Sequence, residues 1–237
     1  MNRTTAKEHH RRDDLRAVQQ ASLARPRYAY SWMARLFFVG MDLLTGREPT
    51  LPKIKLLEML ASIPYRAYEA RAYREMTRHY RDEERLAHYR RLAAWSREAQ
   101  DNEYEHLLIA QEKMEKEALK DPWYLAPIGK GPALLPLMMV GTYRVLSTLL
   151  TTLSLRRALH FNAEFEDHAE HEYARFVEAH PEWEEQPVRS AIANPSGDLV
   201  TWADVFRQIG LDERAHRDHS FALAGEPEHV VGHLPQE

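Results

Sequence analysis

The sequence contains no cysteine. Disulfides, thiolate metal sites and thiol-based regulation are thereby excluded together. Any metal must be held by carboxylate and imidazole, which suit iron, manganese and zinc alike. Glycine is scarce, nine in 237 residues. With abundant Leu, Ala, Glu and Arg, this is a composition of long helices rather than of many short strands. Nor is charge of one sign in excess. The net charge is −4, and Arg85, Arg90, Arg91 and Arg97 alternate with acids as on a solvated helix face, so nothing points to nucleic acid. The first twenty residues lack the apolar stretch of a secretory signal, and Asp13 and Asp14 are unlike a transit peptide. Residues 1–25 are expected to form a flexible polar arm.

What is present is helical periodicity. Six long helices are expected in one all-α domain over residues 26–225, followed by a tail over 226–237. The first covers about 27–45, where Trp32, Phe37 and Phe38 supply bulk. The second starts near Pro52, a favourable first-turn residue, and runs into the 70s. The third covers about 82–119 and is heavily charged. The fourth, about 133–153, is the most apolar run in the chain and is long enough to span a membrane. Arg144, Pro136 and several hydroxyl residues weaken that assignment. The fifth covers about 154–178 and the sixth about 199–223.

Four of these helices place acidic or imidazole groups on the stripe that should be apolar. Glu58 falls in line with Ile54, Ala61, Tyr65 and Tyr68; Glu166 with Asn162, Ala169, Tyr173 and Phe176. Glu103 and His106 form one E-x-x-H pair, and Glu213 and His216 a second. Such a pair sets two ligands one helical turn apart, so both can reach one metal. A Glu from each of two helices plus E-x-x-H from each of two others is the ligand recipe of di-iron carboxylate bundles. A single such motif carries little weight in a chain this rich in Glu and His. A salt bridge is the ordinary explanation for a carboxylate in an apolar stripe; the order of all four is what favours a metal. Ligand chemistry alone admits manganese as well as iron. Glu164, Asp167, Glu170 and Glu172, around His168 and His171, are expected mostly to form a solvated face.

The same segments resemble the alternative oxidase family, most closely its plastid terminal oxidase subgroup. LLEMLASIPYRAYE, with Glu58 and Pro64, resembles the family's first ligand motif. NEYEHL (102–107), HFNAEFEDHAEHEYARF (160–176) and LDERAHRDH (211–219) resemble the other three. The motifs stand in the family's order over about 160 residues, from Pro52 to His219. The resemblance implies a ferritin-like four-helix bundle holding two irons on Glu58, Glu103, His106, Glu166, Glu213 and His216. It implies a redox-active role for Tyr173, and ligand-orienting positions for Asn102 and Asp212, through hydrogen bonds of the kind that tune metal sites. Gly210 departs from the pattern, standing where the family usually has an arginine; Arg207 or Arg214 is expected to supply the missing charge. His168 sides with the plastid-type subgroup.

The first and fourth helices then correspond to the family's two membrane-facing helices, which lie in one leaflet. Basic residues at 25, 27, 35 and 47 suit an interfacial anchor. A buried core or dimer helix is the alternative for the fourth. The implied activity is quinol oxidation coupled to reduction of O2 to water without proton pumping. The implied setting is a homodimer bound to membrane lipid, expected on the cytoplasmic face of a bacterial membrane. Leu57, His168 and Ala169 are candidates to line the quinol route. Two rivals remain: a di-iron quinone hydroxylase, and a non-catalytic ferritin-type storage bundle, the latter disfavoured by the apolar helices.

Overall fold

The computed structural model describes residues 12–126 and 134–232. Among them the chain is all-helical; its only strand-like feature is a single antiparallel bridge between Pro187 and Thr201. Seven α-helices are present: α1 Arg12–Ala24, α2 Trp32–Thr45, α3 Leu51–Arg78, α4 Glu83–Lys116, α5 Leu134–Leu153, α6 Leu155–Ala179 and α7 Trp202–Ala224.

The helix boundaries follow local chemistry. Ser31, Thr50, Asp82 and Ser154 each cap the helix they precede, with the side chain accepting a backbone N–H of the first turn. Thr201 and Asp204 form a reciprocal capping box at the start of α7. Gly225 ends α7 with φ +77°, the left-handed conformation that glycine adopts without penalty.

Two antiparallel hairpins, α3–α4 and α6–α7, contain the most extensive helix contacts. The turn at 79–82 reverses the chain, so that Gln100 of α4 meets Glu69 of α3, and across the α6–α7 pair Asn162 meets Ser220 while Glu170 meets Arg214. One apolar cluster joins α1, α3, α4, α6 and α7 around Phe206, Phe176 and Trp183. A second joins α2, α3 and α5 to Phe161 of α6.

Three expectations need correction. Residues 12–24 are not a flexible arm. They form α1, which packs on α6 and α7 with Leu15, Val18, Gln19 and Ser22 buried. Leu15 and Val18 form the apolar stripe that faces the core, Gln19 and Ser22 flank it, and the helix count rises from six to seven. Residues 1–11, Ala133 and 233–237 lie outside the described residues. The helix expected from 27 begins at Trp32, because Tyr28 and Ser31 turn their backbone N–H groups to Asp167 and Glu164 of α6 instead. The expected tail is partly held: Val231 and Gly232 donate their N–H groups to Asp218.

α5 is the one helix among the described residues long and apolar enough to cross a membrane, and only 22% of its most apolar stretch is buried. α2 is similarly one-sided. Trp32 (77%) and Leu43 (84%) face outward on it, as Leu153 (81%) does on α5.

Candidate metal centre

Glu58 reaches the centre of the molecule from α3, Glu103 and His106 from α4, Glu166 from α6, and Glu213 and His216 from α7. All six are buried. The helical period puts each E-x-x-H pair on one face, and hairpin packing brings the four faces together. The six side chains form two overlapping groups. Glu58, Glu103, His106 and Glu213 make one; Glu103, Glu166, Glu213 and His216 make the other. In each group the ligand atoms lie within 4.8 Å of one another. Glu103 and Glu213 belong to both.

The separations are those of groups converging on a common centre. His106 Nδ1 is 3.0 Å from Glu213 Oε1, 3.5 Å from Glu103 Oε2 and 3.6 Å from Glu58 Oε2. His216 Nδ1 is 2.7 Å from Glu103 Oε1 and 3.9 Å from Glu213 Oε2. Both oxygens of Glu103, both of Glu213, Oε2 of Glu58 and Nδ1 of both histidines are buried without a hydrogen bond. Buried polar atoms are nearly always paired. Seven orphans pointing at one volume fit a site that holds cations.

The surroundings orient the ligands. His106 Nε2 lies 3.3 Å from Asp212 Oδ2, while Gln208 donates to Asp212 Oδ1 at 3.0 Å. A carboxylate on the far nitrogen leaves Nδ1 free to face a metal, the usual support of a histidine ligand. Tyr173 donates to Glu58 Oε1 at 2.5 Å. Tyr65 donates to Glu166 Oε1 at 2.6 Å, and Asn162 donates to the same oxygen at 3.0 Å. Neither Tyr65 nor Asn162 stands out in the sequence as more than an apolar-stripe residue, although both lie on the stripes that carry ligands. Asn102 does not join this shell. Its Nδ2 is buried without a partner, so the expected bond to a neighbouring ligand is not formed.

No protein-family model matches the chain, and no curated protein or solved structure matches it either.

The expected solvated face of α6 is buried. Glu164, Asp167, Glu170 and Glu172 are all at most 2% exposed. α1 and the segment after it cover them and bring basic partners. Glu170 takes Arg25 at 2.6 Å, Arg214 at 2.8 Å and Arg217 at 3.0 Å. Glu172 takes Arg27 at 2.8 Å. Asp167, Glu170 and His171 are close enough to one another to bind a metal, but guanidinium groups already fill that place.

His168 is also buried. It stacks on Phe38 with ring centroids 4.0 Å apart, and Arg27 Nη1 lies 3.0 Å from its Nδ1. Leu57 is half-buried between the two apolar clusters, and Ala169 is half-buried on α6.

At Gly210 a side chain would crowd Tyr173. A Cβ there would stand 3.3 Å from Cβ of Tyr173, so the missing side chain lets α7 approach α6 at the level of that tyrosine. The charge partner comes instead from Arg214, one turn further on, which is buried against Glu170. Arg207 turns away, to Asp204 and Gln19. Gly210→Arg is expected to destabilise the protein by about 1–3 kcal/mol or more through overpacking. A thermal melt unchanged by the substitution would contradict this packing.

Proposed function

We propose that this chain is a membrane-bound di-iron quinol oxidase of the alternative oxidase type, built as a ferritin-like bundle. The observation that carries the proposal is the pair of buried four-ligand groups sharing Glu103 and Glu213. Glu103 and Glu213 would serve both of two ions; Glu58 with His106 would hold one, and Glu166 with His216 the other. Six side chains around two ions leave coordination positions open for O2.

When bound, the iron pair supplies the electron transfer that reduces O2, taking four electrons and four protons from two quinols and yielding two waters. The protein contributes geometry, exclusion of water and control of protons. Burial of all six ligands keeps solvent from the reacting atoms. Tyr173 holds a phenolic proton on Glu58 Oε1, next to a carboxylate that would hold one of the ions, where an electron and a proton could leave one side chain together. Asp212 fixes the His106 ring, so that a proton on Nε2 stays away from the metal face.

The apolar outer faces of α2 and α5 support monotopic attachment. Their inner faces share one cluster, leaving Trp32, Leu36, Val39 and Leu43 of α2 and Leu149 and Leu153 of α5 to the outside. Exposed apolar side chains gathered on helices that share a core cluster are what an interaction site requires, and lipid would place a lipid-soluble reductant beside the ligand helices. A storage bundle has no use for such a face.

The experiment is quinol-dependent oxygen uptake by membranes carrying the protein, with cyanide present. Uptake is expected in wild type and lost in Glu103→Ala. No uptake from folded, iron-loaded protein would sink the oxidase. Hydroxylated quinone in place of oxidised quinol would move the assignment to a hydroxylase.

A further inference from the structure

The two metal positions are matched in a respect that the ligand motifs do not require. Each has a tyrosine on its terminal carboxylate: Tyr173 on Glu58, and Tyr65 on Glu166. Their onward contacts differ. Tyr173 faces Phe206, with centroids 6.3 Å apart, and the next aromatic ring is the fully buried Trp183. That route also continues outward, since Trp183 stacks at 4.1 Å on the half-buried His180, but it passes through a phenylalanine, a ring that is not readily oxidised. Tyr65 touches both terminal ligands of its position, since its ring also lies 5.5 Å from that of His216. On its other side it meets Trp95 edge-on at 5.3 Å. Trp95 is only half-buried, and stacks at 4.4 Å on His219, which is exposed.

In a chain without cysteine, phenol and indole are the side chains most readily oxidised by one electron. Here one of each stands in contact between a metal ligand and the surface. Nothing in the metal-binding motifs demands a tryptophan at 95, and Tyr68 and Tyr65 already fill the apolar stripe beneath it.

We propose that Tyr65 and Trp95 form an electron relay that discharges the metal centre to the surface when O2 has oxidised it and no quinol is bound. The inference rests on the proposed redox function of the site. Tyr65 gives one electron to the O2-oxidised centre through Glu166 or His216, and its phenolic proton goes to Glu166 Oε1. Trp95 then gives one electron to the Tyr65 radical, which takes that proton back. A water-soluble one-electron reductant of the ascorbate class, arriving beside His219, restores Trp95. Without such a reductant Trp95 loses a second electron by the same route and adds water. The product is hydroxytryptophan, with two protons released to solvent.

The test uses full-length protein loaded anaerobically with ferrous iron and then exposed to O2 without quinol. Oxidation of the iron is followed by Mössbauer spectroscopy, freeze-quenched radicals by electron paramagnetic resonance, and oxidised tryptophans by peptide mass spectrometry. The relay requires oxygen to accumulate on Trp95 in excess of Trp32 and Trp123, although these are 77% and 75% exposed. Ascorbate should suppress it. In Trp95→Phe the radical should persist on tyrosine, and in Tyr65→Phe the oxidation of Trp95 per iron oxidised should fall to that of the other tryptophans. Iron that is oxidised while modification simply follows exposure, at Trp32 and Trp123, overturns the relay alone. Iron that O2 never oxidises overturns the relay and the oxidase proposal together.

Discussion

Metal-free protein titrated with ferrous iron in the absence of O2 is expected to take up two equivalents, to melt at a higher temperature and to release protons. Charge balance sets the stoichiometry. Glu58, Glu103, Glu166 and Glu213 together carry four negative charges when ionised, which two divalent cations neutralise. Without metal the same charge has to be balanced by protons. Burial, reinforced by the charge of Glu103, pushes Glu213 well up, and burial pushes Glu58 and Glu166 up to about 7. His106 is held well above its ordinary value against the effect of burial, by bonds to Asp212, Glu103 and Glu213; His216 is raised likewise, mainly by Glu103.

Ligands bind metal in their deprotonated forms, so uptake displaces these protons and affinity falls as pH drops through about 7. At a free metal concentration a hundred times the Kd the gain is about 2.7 kcal/mol. At roughly 2–4 °C per kcal/mol for a chain of this size, Tm rises by about 5–10 °C. Glu103→Ala should abolish uptake at both positions, whereas Glu58→Ala, which touches one group only, should leave one equivalent. Calorimetry of iron binding reads both. Undiminished uptake by Glu103→Ala would remove the shared ligand on which the proposal stands.

Replacing Glu170 with alanine is expected to be among the most destabilising substitutions outside the metal ligands. Its carboxylate is 1% exposed and accepts from Arg25, Arg214, Arg217 and Ser22. Its removal leaves the buried Arg214 without a carboxylate, whereas Arg25 keeps Asp167 and Arg217 keeps Asp218. Breaking a buried pair in this way costs about 3–5 kcal/mol, which lowers Tm by roughly 10 °C. The cost comes from the charge left behind rather than from the bond itself. The double variant Glu170→Ala/Arg214→Ala should therefore lose less than the sum of the singles, a coupling that a double-mutant cycle measures directly.

Acid should have the same effect as the substitution. Burial acts to raise the Glu170 carboxyl, but the Arg25 hydrogen bond and the charges of Arg214, Arg25 and Arg217 prevail and hold it at about 2, below its ordinary 4.5. A depressed carboxyl contributes its full stability above the unfolded value and loses it as pH falls through the folded one. The gap between wild type and Glu170→Ala should thus narrow between about pH 4.5 and 2. Chemical denaturation across that range measures it, and a constant gap would mean that the network is not ionic.

Much of the site was legible because its information is local. An E-x-x-H pair occupies one helix face by the period of the helix alone, so Glu103 with His106, and Glu213 with His216, could be paired before any fold was known. A carboxylate in an apolar stripe stood out at Glu58 and Glu166 for the same reason. The helices from α2 to α7 were equally legible in the alternation of stripe and breaker, within a few residues at their ends.

The α6 acids were misjudged by the same logic. Glu164, Asp167, Glu170 and Glu172 fall on both sides of that helix, and a helix charged on its outer side normally faces water. Their cover is α1 and the segment after it, some 145 residues away in sequence by the Arg25–Glu170 contact, and spacing within α6 cannot announce a partner that distant. Asn102 failed in the opposite direction: adjacency to a ligand in sequence did not become contact in space.

By itself the sequence determined an all-helical chain, the six groups able to hold metal and the absence of thiol chemistry. These follow from residue type and from spacing within single helices. Only the tertiary structure decided which carboxylates are shared between the two groups, that Asp212 orients His106, that Gly210 lets α7 close on Tyr173, and that Arg214 and Arg217 neutralise Glu170. The physical reason is that each of these depends on the distance between atoms of different helices. Packing sets that distance, and no periodicity within one helix records it.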